Sequence, residues 1–136
     1  MAIFIIIFAT ALSSIPDIDL KYGWKHRGIT HNIGFALIVG VGIAIIFFYT
    51  MNDVMIALTG FIAGFGGAVS HLLGDIITYQ SFTPLLPFSK RKIALKYCRA
   101  DDKKVNDGLM TGGAFAFALY ILVVTGSLET IIQNYI

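Results

Sequence analysis

The 136-residue sequence predicts an all-α fold, a polytopic membrane bundle of about four transmembrane helices. Three observations carry that reading. Hydrophobic residues make up 57% of the chain and charged residues 13%, whereas soluble domains hold about 45–50% and about 25%. Four windows without Lys, Arg, Asp or Glu approach or reach the roughly 20 residues that cross a bilayer. All 10 basic residues fall in two stretches separated by two of those windows. A disordered chain, a nucleic-acid-binding tail and an ordinary soluble enzyme are excluded, and no nucleic acid is expected as a partner. The single cysteine, Cys98, leaves no intramolecular disulfide to form.

The first window, Met1–Pro16, is the shortest. It lacks the basic leader of a secretory signal and is read as a tilted or partly interfacial helix over 2–15, ended by Pro16. Pro16-Asp17-Ile18-Asp19 follows in an extended or turn conformation, opening a polar loop over 16–30. Thr30 is expected to cap a second helix over 31–51, and Asn52-Asp53 turns the chain into a third over 54–79. Pro84 and Pro87 exclude regular helix from the start of a basic loop over 80–108. A fourth helix is expected over 109–131, and residues 1–136 are read as one integral membrane domain.

Charge sets the sidedness. Lys21, Lys25 and Arg27 precede the second window, and Lys90, Arg91, Lys92, Lys96, Arg99, Lys103 and Lys104 follow the third. Two crossings separate the groups, so both share one side, and the opposite side keeps only Asp53 and Glu129. By the positive-inside rule the basic side is cytoplasmic.

The chemistry gathers on that same side. His71, Asp75 and Thr78 stand at i, i+4 and i+7 and line one face of the third helix. An ionisable residue at the end of an apolar helix is costly to bury and marks a functional candidate; a lone His–Asp hydrogen bond is the plainer alternative. Asp17 and Asp19, two residues apart, present both carboxylates to one side of an extended backbone, or else cap helices at the boundary. His26-Arg27-Gly28-Ile29-Thr30-His31 brings two histidines that converge if Gly28 bends the chain, with Arg27 as anchor or anion donor. Imidazole and carboxylate together suit a divalent metal, zinc first, with manganese, magnesium or iron also fitting. Six donors suffice for one ion with open positions or for two ions.

These stretches, with Ser70-His71-Leu72-Leu73-Gly74-Asp75 and Leu86-Pro87-Phe88, resemble the YdjM-like family of membrane-bound, metal-dependent hydrolases, described as LexA-binding and inner membrane-associated. The resemblance covers most of the chain. It implies a helical membrane hydrolase with metal ligands Asp17, Asp19, His26, His31, His71 and Asp75. A distant similarity of that family to zinc-dependent phospholipase C implies a phosphoester substrate. Leu20 stands where the family often has a histidine.

The expected mechanism is metal-assisted hydrolysis of a phosphoester of a lipid or lipid-linked molecule at the cytoplasmic membrane surface. Arg27 is expected to stabilise developing charge, helped by the N-terminus of the second helix. Asp19 or Asp75 would serve as general base or orient a histidine, with Thr30 and Thr78 supporting the ligands from behind. Lys90, Arg91 and Lys92 would draw anionic headgroups, or simply fix topology. Membrane lipids are the expected surroundings, and a homo-oligomer is compatible with the apolar surface. A metal-ion transporter and a non-catalytic scaffold stapled by metal are the rival readings.

Overall fold

The computed structural model describes residues 2–24 and 26–124; Lys25, Glu129 and the expected helical stretch 125–131 lie outside the described residues. The described chain is all-helical. Its elements are α1 (Ala2–Leu12), a 3-10 turn (Ile15–Asp17), α2 (Ile18–Lys21), α3 (Ile33–Met51), α4 (Val54–Ile76) and α5 (Lys103–Val124). Four stretches, Ile3–Tyr22, Ile33–Met51, Val54–Ile76 and Lys103–Val123, are long and apolar enough to cross a membrane. The described residues up to Ala100 and those from Asp101 onward form separate compact units.

In the first unit, α4 packs against both α1 and α3. Small residues permit the approach. Gly60, Ala63, Gly64, Gly67 and Ala68 are buried along α4. A Cβ on Gly64 would lie 3.2 Å from the Gly40 Cα of α3, and one on Gly67 would strike the Ala9 carbonyl of α1. Without a hydrophobic drive between helices in lipid, such backbone proximity supplies the dispersion that holds them.

The ends of the elements depart from the sequence-based boundaries for local reasons. α1 stops at Leu12, where the Ser13 hydroxyl donates to the Thr10 carbonyl at 2.7 Å. Pro16 therefore opens the following 3-10 turn and does not end α1, and Asp17–Asp19 are helical, not extended. A proline suits a first helical turn, since its missing N–H has no partner there anyway. α3 begins at Ile33, capped by Asn32, whose Oδ1 accepts from Phe35 N at 2.9 Å. Thr30 is not the cap because its hydroxyl is committed to Asp19.

Asn52, in the left-handed region at φ 49°, and Asp53, accepting from Met55 N and Ile56 N, make the tight turn into α4. α4 ends at Ile76, three residues earlier than expected, because Thr78 folds back on the Asp75 carbonyl through both its N–H and its hydroxyl.

The following segment is ordered. Leu95 N and Tyr97 N donate to the Ile76 and Ile77 carbonyls that end α4, and Phe82 pairs with Ile93 in an isolated antiparallel bridge. Ile33 N donates to Pro84 O at 2.8 Å and Gly34 N to Leu86 O at 3.0 Å, so this strap crosses the start of α3. In the second unit, α5 starts six residues before the expected position. Asp102 accepts from Lys104 N and Val105 N, which draws the charged residues Lys103, Lys104 and Asp107 into the helix.

Candidate metal centre

The C-terminal end of the first apolar stretch, the loop before α3 and the last two turns of α4 bring four of the six expected donors, Asp17, Asp19, His26 and Asp75, around a fifth, His31, with the sixth, His71, beside them. His31 is fully buried. Its Nδ1 lies 3.2 Å from Asp19 Oδ2 and 3.0 Å from the Thr30 hydroxyl, which itself donates to Asp19 Oδ2. Asp19 also accepts from Arg27 N at 3.1 Å and lies 3.3 Å from His26 Nδ1. Both its oxygens are thus engaged, and it holds His31 and His26 from behind. That arrangement puts the His31 proton on Nδ1 and leaves the Nε2 lone pair facing forward.

Forward of Nε2 stand acceptors only. Asp17 Oδ1 and Asp75 Oδ2 each lie 3.4 Å from His31 Nε2. His71 Nε2 lies 3.4 Å from the same Asp17 oxygen and 3.6 Å from the same Asp75 oxygen. His31 Nε2, His71 Nε2 and Asp75 Oδ2 are buried without a hydrogen-bond partner. Buried polar atoms left unpaired are rare and costly, and lone pairs turned on one another are worse. A cation among them removes the conflict. Donors about 2.1 Å from a tetrahedral centre stand about 3.4 Å apart, so these spacings fit a divalent ion. The donors form two overlapping groups that share His31, one with Asp17, Asp19 and His26, the other with His71 and Asp75.

Burial pushes the His31 imidazole below its ordinary value, against the upward pull of the Asp75 and Asp19 carboxylates. The ring therefore stays neutral, as a metal ligand must be.

Arg27 is buried with a left-handed backbone, φ 59°. Its Nη2 meets Asp75 Oδ1 at 2.6 Å, and its Nη1 donates to Thr78 Oγ1 at 2.6 Å and to the Gln80 carbonyl at 2.9 Å. Thr78 thus supports Arg27. The guanidinium also lies 5.8 Å from the Phe82 ring centre. Gln80 and Phe82 were missed from sequence, because a backbone carbonyl carries no side-chain signal and an aromatic reads as ordinary core.

The start of α3 is closed by Asn32 and by the Pro84 and Leu86 carbonyls, so these groups occupy the N-terminus expected to help Arg27. Lys90, Arg91 and Lys92 lie on exposed coil beyond Pro87 and enter none of the site's hydrogen bonds or ion pairs.

Comparison with curated proteins and with solved structures finds no match. A family model, YdjM inner membrane protein, matches residues 2–132. Nearly the whole chain is covered, including every residue of the buried histidine–carboxylate cluster, and the protein belongs to the YdjM inner membrane protein family.

Proposed function

We infer that this membrane protein is a metal-dependent hydrolase, acting on a phosphoester of a lipid or lipid-linked molecule at the cytoplasmic surface. One observation carries the reading. Three buried, unpartnered donor atoms, on His31, His71 and Asp75, converge beside the half-exposed carboxylate of Asp17. Two imidazoles and one carboxylate are the donor set of hydrolytic zinc sites, which keep a fourth position open. That donor set is the ground for taking zinc as the ion.

A divalent cation held there supplies Lewis acidity toward a phosphoryl oxygen and toward water. The chain's own residues do the rest. Asp19 fixes the tautomer and direction of His31. Arg27 fixes Asp75 through the oxygen that does not face the histidines. Asp17, at 37% side-chain exposure, is the most open of the three carboxylates and the one positioned to hold a proton taken from water.

The donors sit at the end of the first apolar stretch, two residues before α3 and within the last two turns of α4. That is headgroup depth, where a lipid phosphoester lies. The basic residues 90–92 favour the cytoplasmic side and an anionic substrate. A transporter is disfavoured, since its site belongs near the bilayer midplane.

One observation favours a metal-stapled scaffold. With Asp17 as a fourth donor the tetrahedral shell would be filled, as in structural sites. Incubating zinc-loaded protein with phospholipids and polyprenyl phosphates separates the two. Metal-dependent release of phosphate or headgroup is expected; none from any of them would overturn the hydrolase.

A further inference from the structure

A second feature lies where the strap meets α3. A groove of about 490 Å3 runs there, walled by Ile29, by Leu37 and Ile38 of α3, and by Pro87 and Phe88 of the strap. Its volume is that of a small-ligand pocket. The lining is apolar. Its amide-bearing wall residue, Asn32, has both ends spent within the chain, on the Ile29 carbonyl and on Phe35 N. Ile29 and Phe88 are 82% and 81% exposed, so the groove's rim is open and greasy. Its walls are held in place by the two hydrogen bonds from Ile33 and Gly34 to the strap.

Two further facts name the occupant. The groove opens at the same end of α3 as His31, in a helix apolar enough to span a bilayer, so it faces the hydrocarbon edge. Lys90, Arg91 and Lys92 follow Phe88 within four residues, all exposed, and no ion pair among the described residues takes their charge. An apolar slot walled by Phe88, with three exposed cations two to four residues further along the chain, matches an amphiphile with an anionic head.

We propose that the α3–strap groove is a binding site for one anionic membrane lipid, its chain between Ile38 and Phe88 and its head on residues 90–92. Binding itself stands apart from the hydrolase reading. Only the consequence that such a lipid is presented to the His31 centre rests on that reading.

The test counts lipids retained by detergent-purified full-length protein in native mass spectrometry, supplied with phosphatidylglycerol or phosphatidylcholine of identical chains. The wild type should keep one phosphatidylglycerol, with about tenfold preference over phosphatidylcholine, as several basic residues near a surface supply. Ile38→Trp, which fills the groove, and Phe88→Asp, which charges its exposed rim without touching the packed interior, should each lose it. Lys90→Gln/Arg91→Gln/Lys92→Gln should abolish the preference and keep the chain. Ile62→Trp, at an exposed position of α4 that does not line the groove, should change nothing. Equal loss in Ile38→Trp and Ile62→Trp would mean ordinary surrounding lipid and overturn the proposal. So would a wild-type dimer that Phe88→Asp converts to monomer, since a second copy would then fill the groove. Asp17→Ala should retain the lipid, whatever it does to metal or turnover. Lipid loss there would overturn the independent site, whereas absent hydrolysis with retained lipid would count only against the hydrolase.

Discussion

Asp19 and His31 form the pair on which the centre turns: Asp19 Oδ2 lies 3.2 Å from His31 Nδ1, so Nε2 points at Asp17 and Asp75. The ring is wedged between carboxylates on opposite edges. The rear carboxylate is 1% exposed and hydrogen-bonded, and through these contacts it sets the tautomer of His31.

Asp19→Asn tests that relationship at nearly constant volume. An amide can present N–H to Nδ1 and so drive the proton to Nε2, where the donor should be free. Metal affinity should fall about 10–100-fold, the usual effect of losing such a rear partner. Competition with a zinc chelator measures it. Unchanged affinity would show that His31 needs no help from Asp19.

The donors themselves separate by role. His31→Ala, His71→Ala and Asp75→Ala should each abolish stoichiometric metal, as read by elemental analysis of purified protein. Asp17→Asn should keep the metal and lose turnover, because Asp17 is the carboxylate that water reaches. Loss of metal in Asp17→Asn would make Asp17 a fourth ligand and favour the stapled scaffold.

Part of this centre is legible in the sequence, and the reasons are local. His71 and Asp75 share a face because helical geometry fixes i and i+4 neighbours, and the structure brings them to 3.6 Å. The apolar windows give four helices for the same kind of reason. The Asp17–Asp19 pair misleads. Side by side on extended backbone they would share a cation. In the helical turn they take opposite nitrogens of one histidine. Thr30 and Asn32 both have capping side chains, and only the tertiary partner Asp19 decides between them. Lys103 and Lys104 read as loop because their charge hides the cap supplied by Asp102.

Packing offers a test with a built-in control. Gly67→Ala drives a methyl into the Ala9 carbonyl, separating α1 from α4, whereas Gly66 has nothing within 4 Å of its would-be Cβ. Gly67→Ala should cost about 1–3 kcal/mol, as overpacking does. Gly66→Ala should be neutral or slightly stabilising. Thermal unfolding in detergent distinguishes them, and equal melting temperatures would deny the close approach of α1 and α4.

Arg27 is the residue whose expected role the geometry most redirects. From sequence it is a donor to substrate, yet Nη1 and Nη2 are already bound to Asp75, Thr78 and the Gln80 carbonyl. It ties a ligand carboxylate to the turn after α4, and its left-handed backbone turns its N–H to Asp19 as well. Lysine keeps the charge and loses the fork, so its single ammonium cannot serve three acceptors along two directions. At least one buried partner is then unpaired, at about 1–3 kcal/mol. Arg27→Lys should therefore lower the melting temperature and weaken metal binding together, through a loosened Asp75. The decisive comparison is metal affinity against turnover in the same preparation. A fall in both, with residual turnover proportional to metal occupancy, fits a clamp on Asp75. Full metal affinity with turnover down 10²–10³-fold would instead put the guanidinium on the substrate.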